Sequence, residues 1–183
     1  PVYKSPKPVI SVGNLTVGGT GKTPLVIAIV RLLQAKGFKV VVLSRGYGSK
    51  DGNNDEVKMF KEILPSIKIV TGVNRRLSIE GQLKQDQVDI FVADDAFSHF
   101  PLKRDLNIVT INVLNPFGNG FLIPRGILRE EINALKRADI FVLTKCDQSK
   151  QHDELIARLL KIKPTALIVK AKHSPLNFQN IFT

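Results

Sequence analysis

Short runs of β-branched residues alternate along this chain with longer stretches of helical period. The run Val40-Val41-Val42-Leu43 has no polar interruption. A strand that is apolar on both sides belongs in a sheet covered on both faces, as parallel sheets are. Strands are predicted over residues 9–12, 39–44, 67–71, 88–93, 107–113, 140–144 and 165–169. Helices are predicted over 22–35, 57–64, 76–84, 131–137 and 153–161. Pro24 suits the first turn of the 22–35 helix, where its missing N–H is not needed, and Gly37 suits its end. The set Leu25, Val26, Ile27, Ile29, Val30, Leu32 and Leu33 covers most of that helix and predicts heavy burial. Strand-helix alternation of this kind predicts one α/β domain over 1–183, with a mainly parallel sheet flanked by helices. The stretch 115–129 is long and glycine-rich, and loops of that length usually carry function.

Composition narrows the setting. Hydrophobic residues make up 43% and charged residues 23% of 183, which is enough for a packed core. The single cysteine, Cys146, excludes a disulfide framework and a multi-cysteine zinc site. Lys and Arg total 27 against 16 acids, a net charge of +11 that draws anions to the surface. The longest uncharged stretch, 106–124, is broken by Asn, Pro and Gly and does not read as a membrane span. The chain opens at Pro1 and its one methionine is Met59, so the expectation is a chain that continues at its ends.

The strongest chemical signal is Thr16-Val17-Gly18-Gly19-Thr20-Gly21-Lys22-Thr23, between a predicted strand and a predicted helix. Glycines let the backbone turn sharply with its N–H groups inward, and the helix N-terminus adds positive charge. Lys22 can reach the β- and γ-phosphates of a nucleoside triphosphate, and the Thr23 hydroxyl can ligate Mg²⁺. Thr16 stands where the strict motif has its first glycine. The fold expected is therefore P-loop NTPase-like.

The strand at 88–93 runs into Asp94-Asp95. Carboxylates at the C-terminal end of a parallel strand lie at the ligand edge of the sheet, where one of them can serve Mg²⁺. Adjacent residues point to different sides, so at most one need face the metal. His99 follows closely and is a candidate for the same site, whereas His152 and His173 read as surface residues. Without further context, the acids at 51–56 are a solvated polar turn.

Several segments together resemble the tetraacyldisaccharide 4'-kinase family, the lipid A 4'-kinases. They are Ser11 to Pro24, Leu43-Ser44-Arg45-Gly46-Tyr47-Gly48, Asp94-Asp95-Ala96-Phe97-Ser98-His99, Arg104-Asp105-Leu106, Phe117-Gly118-Asn119-Gly120, Pro124 to Glu130, and Ala134 to Asp139. In order they cover about residues 8–145. The resemblance implies transfer of the ATP γ-phosphoryl group, with Mg²⁺, to the 4'-hydroxyl of tetraacyldisaccharide 1-phosphate. It also implies work at the cytoplasmic face of a Gram-negative inner membrane, as a peripheral protein, on an anionic glycolipid. No protein partner is inferred. By the same resemblance, Lys22 and the turn from Thr16 to Thr23 hold the nucleotide. Asp55, in a segment like the family's Gly-Asp-Glu-Pro, is the base, with Glu56 beside it. Thr23, Asp94, Asp95 and Glu130 serve the metal. His99 and Asp95 join the catalytic set, and Arg75 and Arg129 meet the acceptor.

The chain departs from the family's pattern in places. Ser98 replaces Gln, Ala96 replaces Gly, and Glu131 stands where Pro is usual. Counterparts to the family's N-terminal apolar helix and C-terminal Asp-His-His segment are absent from this chain. Thr144-Lys145-Cys146-Asp147 fits a guanine-reading motif and keeps a P-loop GTPase as an alternative, although no Asp-x-x-Gly follows the acidic strand. A non-catalytic nucleotide-binding remnant is another. Val17 occupies the place of the lysine that precedes the paired glycines in partition-type ATPases. With no Trp, only Tyr3 and Tyr47, and no aromatic-basic motif, nucleic acid is not an expected partner.

Overall fold

The computed structural model describes residues 2–46, 55–149 and 152–172, with the backbone alone at Asp55 and Glu56. Tyr47, Gly48, the 51–54 part of the acidic turn and His173 lie outside the described residues. The strands are β1 (Val9–Gly13), β2 (Val40–Ser44), β3 (Lys68–Thr71), β4 (Ile90–Asp94), β5 (Leu106–Asn112), β6 (Ile140–Thr144) and β7 (Leu167–Lys170). The α-helices are α1 (Lys22–Ala35), α2 (Asp55–Ile63), α3 (Arg75–Gln85) and α4 (Asp153–Ile162).

These strands form one parallel sheet in the order β3-β2-β4-β1-β5-β6-β7. Period-2 alternation sends successive side chains to opposite faces. Val12, Val42 and Val92 pack on one face with Val26 and Val30 of α1 and Phe60 of α2. On the other face Leu43, Phe91 and Ala93 meet Ile79 of α3. Farther along that face, Val109, Phe141 and Leu143 meet Leu159 of α4 and Leu135. Each fully buried Val, Leu or Phe contributes roughly 1.5–3 kcal/mol, so the sheet is a rigid platform for what its edge carries.

Three expectations need correction. The 131–137 segment is a 3-10 helix over Ile132–Arg137. It is closed by i→i+3 bonds such as Ala138 N–H to the Leu135 carbonyl at 3.0 Å, the tight turn that a short segment docked through one buried side chain adopts. Helix α1 is less buried than its composition suggests: only Val26 and Val30 are fully buried, and Leu32 is 59% exposed. The helix lies over β1, β2 and β4 and leaves an open cleft toward β6. His152 is buried rather than on the surface, and its Nε2 lies 3.2 Å from the Cys146 carbonyl.

Candidate active site

Strand β1 ends at Gly13, and the nucleotide turn begins at once. Asn14 stiffens it from within: its Oδ1 accepts from Lys22 Nζ at 3.1 Å, and its amide nitrogen donates to the Thr16 carbonyl. Thr16 is 4% exposed and forms an antiparallel bridge with Leu128. The bridge holds it in an extended form that needs no glycine, which explains the motif's departure. Left-handed backbone occurs instead at Gly18 (φ 103°) and Gly21 (φ 81°). Thr20 is held by the Thr110 hydroxyl at 2.8 Å, and its carbonyl accepts from Thr144 Oγ1 at 3.1 Å. Gly21 caps α1 with no side-chain hydrogen bond, and the first turn carries no acid. The positive end of α1 therefore has no capping side chain or first-turn carboxylate to compete with an anion.

The two adjacent acids part company. Asp94 closes β4 in register with Val12, is 1% exposed, and its carbonyl accepts from Arg75 Nη2 at 2.7 Å. Asp95 takes a left-handed backbone (φ 48°), which turns its carboxylate toward the P-loop. Both its oxygens accept from Arg129 Nη1, at 2.7 and 2.8 Å, and Lys22 Nζ lies 3.7 Å away. Arg129 is delivered by the 115–129 loop, whose end pairs with the P-loop. Its own N–H donates to the Leu15 carbonyl at 2.8 Å, and Val17 N–H donates to the Ile127 carbonyl at 2.8 Å.

Glu130 faces other partners than those the metal role requires. Arg137 Nη2 donates to its two oxygens at 3.0 and 2.8 Å, and Ser98 donates to it as well. The Arg137 guanidinium lies 4.5 Å from the Phe97 ring centre and 4.7 Å from that of Phe100. Among the described residues, no three His, Cys, Asp or Glu side chains converge as a metal cage. A P-loop magnesium site does not need one, because phosphates and water complete it around a hydroxyl and one or two carboxylates. Thr23 at the start of α1 and the acids ending β4 are donors of the right kind. Glu130 is a carboxylate as well, held by Arg137 and Ser98 as Asp95 is held by Arg129.

Beyond the turn lies a pocket of about 380 Å³ lined by Val17, Arg45, Arg75, Asp95, Ser98, His99, Ile123 and Arg129. Arg75 opens α3 behind the Asn74 cap, is 2% exposed, and its Nη1 has no hydrogen-bond partner. Burial pushes its pKa down to about 10, opposed by Asp94, so it stays charged at neutral pH. Burial, and then Arg75, Arg45 and Arg104, hold His99 below the ordinary histidine range. Its imidazole is neutral at pH 7. Arg104 Nη1 donates to the His99 carbonyl at 2.6 Å and braces it.

A second cleft of about 340 Å³ runs from Gly19 and Gly21 past Leu25 and Val142 to Thr144 and Lys145. Asp147, the carboxylate that a guanine-reading motif needs, is exposed and does not line it. Asp55 and Glu56 open α2, and their side chains lie outside the described residues. Sequence reasoning singled out Lys22, Arg75, Asp95, His99 and Arg129, and the structure gathers them at one edge of the sheet. It did not single out Asn14, Arg104, Arg137 or Thr144 for the site. Asn14, set between a strand and a glycine turn, was the one with a local signal.

A sequence model described as LpxK, tetraacyldisaccharide-1-P 4'-kinase, matches residues 1–181. A tetraacyldisaccharide 4'-kinase of Geobacter metallireducens is 44% identical over 160 residues, 76% of this chain and 47% of that protein. One from Haemophilus influenzae is 40% identical over 169 residues, 84% of this chain and 50% of that protein. The chain thus spans about half the length of the curated relatives it matches. Among solved structures, "apo" form LpxK from Aquifex aeolicus in complex with ATP superposes with a TM-score of 0.74 at 25% identity, covering 94% of this chain and 72% of that one. The hydrogenase maturation factor HypB of Archaeoglobus fulgidus shares the fold alone, with a TM-score of 0.63 at 15% identity. With the family model matched from residue 1 to residue 181, this chain belongs to the tetraacyldisaccharide-1-P 4'-kinase family.

Proposed function

We propose that this chain supplies the ATP-binding and catalytic part of a tetraacyldisaccharide 4'-kinase. The observation that carries the reading is the meeting of Lys22, Asp95 and Arg129 at the mouth of the P-loop, beside a pocket lined by Arg45 and Arg75. The turn from Thr16 to Thr23 and Lys22 hold the β- and γ-phosphates. Thr23 and one of Asp94 and Asp95 hold Mg²⁺, which when bound neutralises phosphate charge. Asp95 keeps Lys22 and Arg129 oriented toward the transferred group.

The 4'-hydroxyl oxygen of the acceptor bonds to the γ-phosphorus. The bond to the bridging oxygen breaks, ADP leaves, and the hydroxyl proton passes to a base. Asp55, at the start of the helix between β2 and β3, is that base, with Glu56 next to it. In a parallel sheet such a helix begins at the C-terminal edge of the strands, where the P-loop also lies. Arg75 lines the pocket with a buried guanidinium that keeps its charge, so it serves the acceptor's phosphate together with Arg129. Neutral His99 contacts acceptor hydroxyls. Glu130 acts as a brace, fixed by Arg137, and not as a metal ligand.

The substrate places the protein at the cytoplasmic face of the inner membrane of a Gram-negative bacterium. Among the described residues no helix is long and apolar enough to cross a membrane. The test is an assay of the full-length protein with labelled ATP and tetraacyldisaccharide 1-phosphate, with GTP as competitor. Transfer to the 4' position that GTP does not compete away is expected. ATP binding without transfer would support a nucleotide-binding remnant instead.

A further inference from the structure

We infer that Thr144 is a positioning residue for the triphosphate: its hydroxyl fixes the Thr20–Gly21 peptide and so aims the Gly21 N–H into the anion site. This rests on the nucleotide-binding part of the reading above. Thr144 opens the Thr144-Lys145-Cys146-Asp147 motif, whose carboxylate is exposed and does not line the cleft that Thr144 and Lys145 line. The first residue of the motif faces the P-loop instead. Thr144 Oγ1 donates to the Thr20 carbonyl at 3.1 Å and lies 3.3 Å from the Ile111 carbonyl of β5. Its methyl group sits against the next residue, since a Cβ added at Gly21 would lie 3.2 Å from Thr144 Cγ2. Hydroxyl and methyl are both in use, a pair that neither serine nor valine supplies.

Proton counting gives the direction of the neighbouring bonds. A carbonyl only accepts, so the one hydroxyl proton of Thr110 goes to the Gly13 carbonyl, at 3.2 Å. The Thr20 hydroxyl, 2.8 Å from Thr110 Oγ1, is therefore the donor in that pair. Thr20 and Thr110 are 4 and 1% exposed, so water does not compete for these bonds. One residue of the turn is thus tied twice, by its side chain to β5 and by its carbonyl to β6. A trans peptide points its C=O and N–H in opposite directions. With the Thr20 carbonyl drawn toward β6, the Gly21 N–H turns the other way, to the side where a phosphate oxygen can accept from it. Gly21, at φ 81°, has wide conformational freedom of its own, and the tether at the preceding carbonyl removes part of it before a ligand arrives.

The test measures direct binding of ATP, GTP and inorganic triphosphate to the full-length protein by calorimetry, beside transfer from ATP. Thr144→Val keeps the shape and loses the hydroxyl. It is expected to raise the dissociation constants for ATP and for triphosphate by the same factor, about five- to tenfold, with the ratio of ATP to GTP affinity held within about twofold. Thr144→Ser keeps the hydroxyl and should bring both constants to within about threefold of the wild type. Thr110→Val removes the second tether and should weaken triphosphate binding about threefold, which keeps the inference open to refutation if Thr144→Val does not fold. Unchanged triphosphate binding in the folded variants, even with a lower Tm, would overturn it. So would equal losses in the serine and valine variants, or a loss confined to the nucleotides, which assigns Thr144 to the base. Weaker triphosphate binding in Thr144→Val, beside a wild type that binds ATP and transfers nothing, would sink the kinase reading and leave this one standing.

Discussion

The turn at 14–23 and the loop at 115–129 touch along one short antiparallel bridge, Thr16 with Leu128, and both are rich in glycine. They hold their shapes by different means. The turn is strung between β1 and α1, tied within itself by Asn14 and Lys22 and fastened to the neighbouring strands by Thr110 and Thr144. The loop has no regular element inside it. It hangs on Phe117 and Leu128 in the core and on crossed backbone bonds among its own residues. One segment exposes main chain to a phosphate, and the other delivers side chains, Arg129 above all, to the same point. The difference teaches that a main-chain anion site can be written in eight residues, whereas a side-chain clamp needs a folded partner to aim it.

The largest break in that comparison is Lys22→Ala. Removing a preorganised charge from a phosphoryl-transfer site costs roughly 10²–10³-fold in turnover, with weaker ATP binding, as steady-state assays and calorimetry would show. An unchanged ATP dissociation constant would remove the turn from the site. Gly126→Ala attacks the loop alone. An added Cβ would meet the Phe121 carbonyl oxygen at 2.2 Å, a backbone atom that cannot step aside cheaply. Overpacking of this sort costs about 1–3 kcal/mol, or roughly 3–10 °C in Tm for a domain of this size. Acceptor KM should rise about tenfold while ATP affinity stays within twofold, as a displaced Arg129 would require. Equal damage to ATP binding would mean that the two segments form one unit.

Smaller effects sharpen the picture. Arg137→Leu removes two bonds to the Glu130 carboxylate and the stacking on Phe97 and Phe100. With that pair partly solvated, a loss of about 1–2 kcal/mol is expected by chemical denaturation. A few-fold fall in kcat without altered magnesium dependence would support the brace. A raised magnesium requirement would return Glu130 to the metal. At Gly18 an added Cβ meets nothing within 4 Å, so Gly18→Ala tests the left-handed φ of 103° by itself. A strain of roughly 1–2 kcal/mol is expected, read as a modest loss of ATP affinity.

The smallest prediction concerns His99, whose pKa is lowered in the folded protein from its ordinary 6.5. Above that value neither state is protonated and the residue is silent. As pH falls through 6.5 the unfolded chain takes up the proton first, so folding stability declines toward the lower folded value. Thermal melts between pH 7.5 and 5.5 should show this decline, and His99→Asn should flatten it.

Much of the fold was readable along the chain. Runs such as Val40 to Leu43 gave the parallel sheet, and every predicted strand lies within two residues of an observed one. Less was readable where burial depends on neighbours. The apolar residues around α1 suggested full burial, but nothing among the described residues covers Leu32. His152 looked like a surface residue until α4 and the turn at Cys146 enclosed it. In the site, Lys22 and Asp95 carried their own signals. The pairing of Glu130 with Arg137 did not, because a glutamate also suits a metal site and an arginine a solvated face.

The order of residues by itself determined the strand-turn-helix that cradles phosphate, since period, φ preference and helix capping act within a few positions of one another. Only the tertiary structure decided which of two adjacent aspartates meets the lysine and which arginine clamps it. Those outcomes rest on parallel strand register and on a long loop closing back over the turn. Contacts between residues 34 positions apart, such as Asp95 and Arg129, leave no trace in local pattern.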